Sequence, residues 1–445
     1  MKLNGYHQWG FRPYLPMAGF DRTTPRICRL APYENRCEIA WLGEGTWFTV
    51  SWRVRGAGGW LKEETEGRTW ILRHLETETE YEIKVRDKAG RESPVRLIRT
   101  SPVEGTVVNY LHPEDGSYRF SGSYLCSPSL VKLPSGRLLA SMDVYGKDAP
   151  QNLTLLFDSL DGGTNWNYVT DIFPCFWGKL FWHRDRLYLL GVSNEYGDLL
   201  IGCSEDEGRT WSAPEVLFRG SSHTWELGHH RAPMVILKSH GRLWTGTEYG
   251  TWKKHVFYNA LLSAAEDTDL MKAENWVLTD FVGIDKSWPH ILPEAAGAIE
   301  GNAVETPDKE VIDFLRYGEN KALVLKADPG DPGKGLEFEE VLDFPLGHTK
   351  FEIQRREDGV YFAMGNPFPG RNVLTLYSSA DLRAWKRVCD IVSHPECDIR
   401  EVGFQYPVFL FEGSQLLVLS RTAWNHAHSF HDSNYITFHR VLLES

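Results

Sequence analysis

Two octads constrain this chain more than any other feature: Ser204-Glu-Asp-Glu-Gly-Arg-Thr-Trp211 and, 45 positions earlier, Ser159-Leu-Asp-Gly-Gly-Thr-Asn-Trp166. Each fixed position has a separate mechanical task in a tight turn between strands. The aspartate bonds amides ahead of it, the glycine takes a positive φ, and the tryptophan buries its ring under the turn. Both octads follow apolar runs, Leu153 to Phe157 and Leu199 to Ile201, and a worn copy appears at Ser379, Asp381 and Trp385. Recurrence at about the length of a four-stranded unit is the pattern of a β-propeller.

The length of 445 residues gives a prior of two or three domains at about 150 residues each. A net charge of −12, from 48 basic and 60 acidic residues, argues against a nucleic-acid partner. Seventeen Trp, 18 Tyr and 22 Phe supply rings both for blade cores and for stacking on sugars. The seven cysteines lack zinc-like spacing, and no apolar run reaches the length of a membrane span or a signal peptide. A reduced, cytoplasmic setting is therefore expected unless a leader was removed. No membrane partner is expected.

Residues 1–27 have aromatic residues and prolines without a period and read as an extended segment. Residues 28–103 alternate as strands: Phe48 to Val54 does so, and Tyr81, Ile83 and Val85 fall on one face of Thr79 to Arg86. This stretch resembles a fibronectin type III β-sandwich, with Trp52 as its core tryptophan and Tyr81 as its tyrosine corner. The expected role is structural or glycan-positioning.

From 104 to 445 the chain breaks into strand-turn-strand units. Six can be counted, a seventh blade stays open, and Val107 to Tyr110 is placed to supply an outer strand that closes the ring. The octads resemble Asp-boxes, and with Ser127-Pro-Ser-Leu-Val-Lys-Leu-Pro-Ser-Gly-Arg-Leu-Leu-Ala140 they resemble the sialidase-like propeller superfamily. That resemblance implies an all-β fold and carbohydrate as partner.

In a propeller the starts of the inner strands converge on one mouth of the central channel. Here those starts are Cys126-Ser127, Trp177 with Lys179, His229-His230-Arg231, Glu300 with Asn302, His348 with Lys350, and Gln405-Tyr406. Loops after the second strands add Asp143, Glu195, Glu248, Tyr249, Arg316, Tyr317, Asn366 and Arg421. Histidine, carboxylate, tyrosine and arginine converging on a funnel form a default glycan-cleaving site.

Glu300, Arg316 and Arg421 resemble the glutamate and two of the arginines of sialidase-like sites. The Arg-Ile-Pro that such enzymes carry at the first inner strand is replaced by Cys126-Ser127-Pro128, so sialic acid specificity is not expected. The catalytic set is read as His230, Glu300, Tyr406 and Arg316, with Tyr317 an alternative nucleophile. Substrate contacts are assigned to Trp177, Lys179, His229, Arg231, Glu248, Asn302, Tyr317, His348, Lys350 and Arg421.

Hydrolysis needs a proton donor and a base or nucleophile, for which Glu300 with Glu248 or His230 would serve. Elimination across a uronate needs a cation on the carboxylate and a His or Tyr base, for which Arg231, Arg316, His230, His348 and Tyr406 would serve. A glycoside hydrolase acting on the end of an acidic or deoxy-sugar-bearing glycan is the leading reading. A lyase and a non-catalytic glycan-binding propeller stand beside it. No cofactor or catalytic metal is assigned, and a structural divalent cation at His426, His428 and His431 is the further alternative.

Overall fold

The computed structural model describes residues 23–222, 227–293 and 297–443. The extended segment expected over 1–27 therefore lies largely outside the described residues. Among those described there is no α-helix, and no helix is long and apolar enough to cross a membrane.

Two sheets face each other at the N-terminal end. Arg26–Pro32, Arg36–Leu42 and Thr69–Arg73 form one, and Leu61–Thr65, Phe48–Val54, Glu80–Asp87 and Arg96–Arg99 form the other in that spatial order. The alternation read from sequence is the cause: Tyr81, Ile83 and Val85 point inward with Trp41, Phe48, Val50 and Trp52. The Tyr81 hydroxyl accepts from the Glu76 amide at 2.8 Å, which ties down the loop before its strand.

The rest of the described chain is a six-bladed propeller of antiparallel four-stranded sheets. Inner strands are Tyr124–Lys132 in blade 1, Phe176–His183 in blade 2, Ile299–Glu305 in blade 4, Glu352–Arg355 in blade 5 and Gly403–Glu412 in blade 6. In blade 3 the inner edge is split into Gly228–His230 and Leu237–Ser239, both paired with Arg242–Thr251. Blade 6 takes its outer strand, Thr106–Tyr110, from the start of the domain, with Thr437 opposite Val107. Ring closure through Val107 to Tyr110 matches the sequence reading. The described residues hold no seventh blade.

Each octad forms one repeated hydrogen-bond circuit. Ser204 Oγ accepts from the Gly208 amide at 2.8 Å, Asp206 accepts from the Thr210 amide at 2.8 Å, and Trp211 Nε1 donates to the Gly208 carbonyl at 3.1 Å. The Ser159 copy repeats all three bonds, and in the worn copy Trp385 Nε1 donates to the Leu382 carbonyl. Gly163 shows why this position excludes a side chain: its φ is +95°, and a Cβ there would lie 2.1 Å from the Phe438 ring of blade 6. Trp211 is fully buried among Leu139 and Leu156 of blade 1 and Leu187 of its own blade. The circuits therefore fasten turns and join blades.

The sandwich and the propeller share an apolar cluster in which Trp41, Val107, Tyr110 and Tyr435 take part. Arg29 donates to the Val107 and Val108 carbonyls at 2.9 Å each, on the free edge of the closing strand. Arg26 pairs with Asp171 at 2.8 Å, and Arg96 pairs with Asp115 at 2.5 Å in a nearly dry setting.

Trp211→Ala is expected to cost about 3–5 kcal/mol by leaving a cavity between two blades. Trp252→Ala, at a side chain 42% exposed, is expected to stay within about 0.5 kcal/mol of the parent. Chemical denaturation of the two variants checks the contrast.

Candidate functional site

Four inner strands share one irregularity. The pairing runs from Cys126 opposite Asp143 to Ser129 opposite Ser141, so two inner residues face one on the neighbouring strand. The same shift lies between Phe176 and Lys179, between Ile299 and Asn302, and between Gln405 and Val408. The first extra residue is always in the left-handed region: Ser127 at φ 48°, Trp177 at 52°, Glu300 at 56° and Tyr406 at 50°. The second is Pro128, Gly178, Gly301 or Pro407. Proline has no amide to leave unpaired, and glycine permits close approach: a Cβ on Gly301 would meet Asp313 Oδ1 at 2.0 Å.

Such bulges re-aim side chains. Ser127, Trp177, Glu300 and Tyr406 all line one cavity of about 780 Å³ at a single mouth of the channel.

Each of the last three bulges is held by a polar side chain from the preceding blade. Asp143 of blade 1 accepts from the Trp177 amide at 2.7 Å, and Glu248 of blade 3 accepts from the Gly301 amide at 3.2 Å. Lys350, just before blade 5, donates to the Pro407 carbonyl at 2.6 Å.

The centre of the cavity is the Glu300 carboxylate, which accepts from Arg316 at 2.9 Å. Register explains the pair, because Arg316 stands opposite Ile299, immediately before the bulge. Burial pushes the Glu300 carboxyl up, but Arg316, His230 and the Tyr406 hydroxyl outweigh it and hold the group below its ordinary value. Burial and the Glu300 charge push the Tyr406 phenol up to about 12, against the pull of Arg316, Arg371 and Arg421. The Arg421 and Arg371 guanidiniums lie 5.1 and 6.0 Å from the Tyr406 ring centre. One phenol and one carboxylate thus share three cations.

On the neighbouring wall His230 Nδ1 bonds Glu248 at 2.8 Å, and its ring packs edge-on to Trp177 and Phe257. With Nδ1 engaged, Nε2 is the nitrogen left for a ligand. Loops of blades 1 to 3 complete the rim with Lys147, Asp148, Gln151, Glu195, Tyr196 and Trp252. Gln151 donates to Glu195 at 2.7 Å, so that carboxylate is held at the rim.

His230, Glu300 and Tyr406 therefore share one cavity, with Trp177 and Arg421 in its lining and Arg316 bound to Glu300. Seven expected substrate contacts lie elsewhere, and an eighth acts indirectly. His229 is buried against Tyr249 and Phe281, with Nε2 on the Arg219 carbonyl. Arg231 is buried beside the Ala232 carbonyl and Thr245, its pKa brought down to about 10 by burial. Lys179 and Lys350 converge on Glu352, each at 3.7 Å, inside the channel.

Asn302 bonds the Ile353 amide and the Phe351 carbonyl and so stitches blades 4 and 5. Tyr317 accepts from the Leu292 amide within an apolar cluster, which removes it as a nucleophile. His348 is only half-buried and outside the cavity lining. Glu248 works behind His230 and Gly301 rather than on a ligand. Strand alternation turns His229 and Arg231 away from the cavity on either side of His230, while Lys179 and Asn302 come just after the bulges at Trp177 and Glu300, where regular pairing resumes.

Arg371, Tyr145 and Trp252 were not anticipated from sequence, and His431, read there only as a candidate ligand of a structural cation, lines the cavity. Arg371 follows the Pro369-Gly370 turn, and nothing in that local sequence marks it. His428 and His431 each bond Asp432, at 2.7 and 3.0 Å, and their rings rest on Tyr124 and Tyr145.

The profile of the BNR repeat-like domain family matches residues 182–418. No curated relative matches the chain. Among solved structures, the α-L-arabinanase of Penicillium chrysogenum complexed with arabinobiose aligns at TM-score 0.50 and 13% identity, over 77% of this chain and 98% of that one. A Hadza microbial sialidase aligns at 0.49 and 11%, over 100% and 95%. An α-L-arabinofuranosidase of Fusarium graminearum in complex with arabinobiose aligns at 0.48 and 14%, over 76% and 97%. At such identities the likeness is one of fold.

Burial lowers the pKa of His229, His431 and His439 to about 4 in each case, so the folded protein keeps them neutral. The unfolded chain binds protons on these residues below its ordinary histidine pKa of about 6.5. Their stabilising effect is therefore complete above about pH 6.5 and is lost as pH falls toward 4. The melting temperature is expected to drop between pH 7 and 5, and less steeply in His229→Gln/His439→Gln. Equal slopes in parent and variant would assign the acid loss to other groups.

Proposed function

The chain belongs to the BNR repeat-like domain family, and on that premise we propose that it is a glycan-cleaving enzyme acting at the end of an acidic, uronate-bearing chain. The observation that carries this reading is Glu300, swung out of its strand by a bulge and set between Arg316 and Tyr406 in the same cavity as His230.

In the hydrolytic form, Glu300 takes the phenol proton as the Tyr406 oxygen attacks the anomeric carbon, and Arg316, Arg371 and Arg421 stabilise the negative charge. His230, oriented by Glu248, gives a proton to the departing sugar oxygen. Water then attacks the anomeric carbon with His230 acting as base, the bond to the Tyr406 oxygen breaks, and Glu300 returns the proton to that oxygen. The same three cations suit the carboxylate of a uronate. Cys126 stands where sialidase-like sites carry their first arginine, so sialic acid is not the substrate of this reading.

Elimination is the runner-up, because a phenol among cations beside a carboxylate-held histidine also suits removal of the proton next to a neutralised carboxylate. A panel of uronate-containing oligosaccharides separates the two. New reducing ends alone mean hydrolysis, and the ultraviolet absorbance of an unsaturated uronate means elimination.

Tyr406→Phe, Glu300→Gln and His230→Gln are each expected to lower kcat/KM by about 10²–10⁴-fold with little change in melting temperature. Full turnover in all three variants would overturn the assignment. Binding without turnover in parent and variants alike would leave a recognition propeller.

A further inference from the structure

The connection between blades 5 and 6 brings together donors of three different kinds, outside the cavity lining. His394, Glu396 and Cys397 follow the outer strand Lys386–Ser393 in a histidine-x-x-cysteine spacing, and the Cys397 amide closes the turn on the His394 carbonyl at 3.1 Å. Asn372 fixes the same turn from the side: its carbonyl accepts from the His394 amide at 3.0 Å, and its Nδ2 donates to the His394 carbonyl at 2.8 Å and the Cys397 carbonyl at 3.3 Å. The imidazole packs on Phe404 and Trp424, with ring centres 5.5 and 4.8 Å away.

His394 Nδ1 is 3.2 Å from a Glu396 oxygen, which lies 3.8 Å from Cys397 Sγ, and the three donor atoms are all within 4.8 Å of one another. A tetrahedral zinc with bonds of about 2.0 Å to N and O and about 2.3 Å to S sets its ligands about 3.3–3.6 Å apart. The His394–Glu396 pair already stands near that spacing, the Glu396–Cys397 pair is slightly wider, and the His394–Cys397 pair closes from within 4.8 Å. The other ring nitrogen, Nε2, is 3.1 Å from a Glu104 oxygen.

The ring faces a carboxylate at each nitrogen, and either a proton or a metal ion on Nδ1 suits the Glu396 side. A metal ion between Nδ1 and Glu396 takes the place of that proton and leaves Nε2–H for Glu104. A carboxylate behind a metal-bound histidine is the usual way such a ligand is oriented.

We propose that His394, Glu396 and Cys397 bind one divalent transition-metal ion, zinc being the ion this mixed N, O and S set suits, with Glu104 orienting the histidine and water in the fourth position. Glu104 belongs to the link between sandwich and propeller, and Trp424 Nε1 donates to the Pro102 carbonyl of that link at 2.8 Å. The ion would therefore tie the entry of the propeller domain to the blade 5–6 connection. This site is independent of the glycan-cleaving reading.

The full-length protein, reduced and stripped with a chelator, is titrated with Co²⁺ alone. One equivalent is expected to bind with a thiolate-to-cobalt absorption band, to be displaced by Zn²⁺, and to raise the melting temperature. Cys397→Ser should abolish the band, His394→Gln should abolish stoichiometric binding, and Glu104→Gln should weaken affinity about 10–100-fold while keeping the band. In the unmutated protein Zn²⁺ should slow alkylation of Cys397, followed by peptide mass, which keeps the test available if a variant misfolds. No thiolate band, a band that persists in Cys397→Ser, or alkylation unaffected by Zn²⁺ would each overturn the proposal.

Discussion

The site depends on hydrogen bonds that cross from one blade to the next and hold three of the four bulged inner strands out of regular pairing. A non-glycine residue in the left-handed region costs about 1–3 kcal/mol, so Ser127, Trp177, Glu300 and Tyr406 keep that conformation only where the surroundings enforce it. Asp143, Glu248 and Lys350 do so for Trp177, Gly301 and Pro407. Each contact acts on a blade other than its own, so the local shape of the cavity follows from the packing of the ring. Glu248 does two things at once, since its second oxygen holds His230. The histidine and the glutamate at 300 are therefore positioned by one carboxylate.

Electrostatics then follow from burial. Arg316, His230 and the Tyr406 hydroxyl offset the desolvation that would otherwise neutralise the Glu300 carboxylate, and Arg316, Arg371 and Arg421 draw on the Tyr406 phenol. The interior of the channel shows the same economy in a structural role, where Lys179 and Lys350 share Glu352. Charge in the channel is thus divided between a ligand-facing group and a waist that links the blades.

Much of the architecture was legible because it is written in local chemistry. The serine, aspartate, glycine and tryptophan of each octad make their bonds within eight residues, and Val107 to Tyr110 showed itself as a strand without an adjacent partner. Glu300, Tyr406 and His230 were reachable because they start inner strands. What the pattern hid was the bulge, which breaks the alternation of its strand and puts Trp177 in the cavity while Lys179, two positions on, lies in the waist. His229 and His230 are separated by ordinary alternation in a regularly paired strand. Arg371 escaped because its place is set by a loop folding back over Tyr406, a contact between positions 35 residues apart. The acid and base roles depend on neighbours such as Glu248 and Arg316 that no spacing rule connects.

The closing strand has a consequence for the order in which the molecule is made. Thr106–Tyr110 leaves the ribosome about 330 residues before its partner Tyr435–Leu442, an interval of roughly 15–65 s at about 5–20 residues per second. Throughout that time it is an unmatched β-edge in a growing chain. The sandwich has already been synthesised by then, and Arg29 grips the Val107 and Val108 carbonyls from that side. The N-terminal module thus holds the strand by the side that Tyr435–Leu442 does not use, and the pairing edge stays open until that last strand is made.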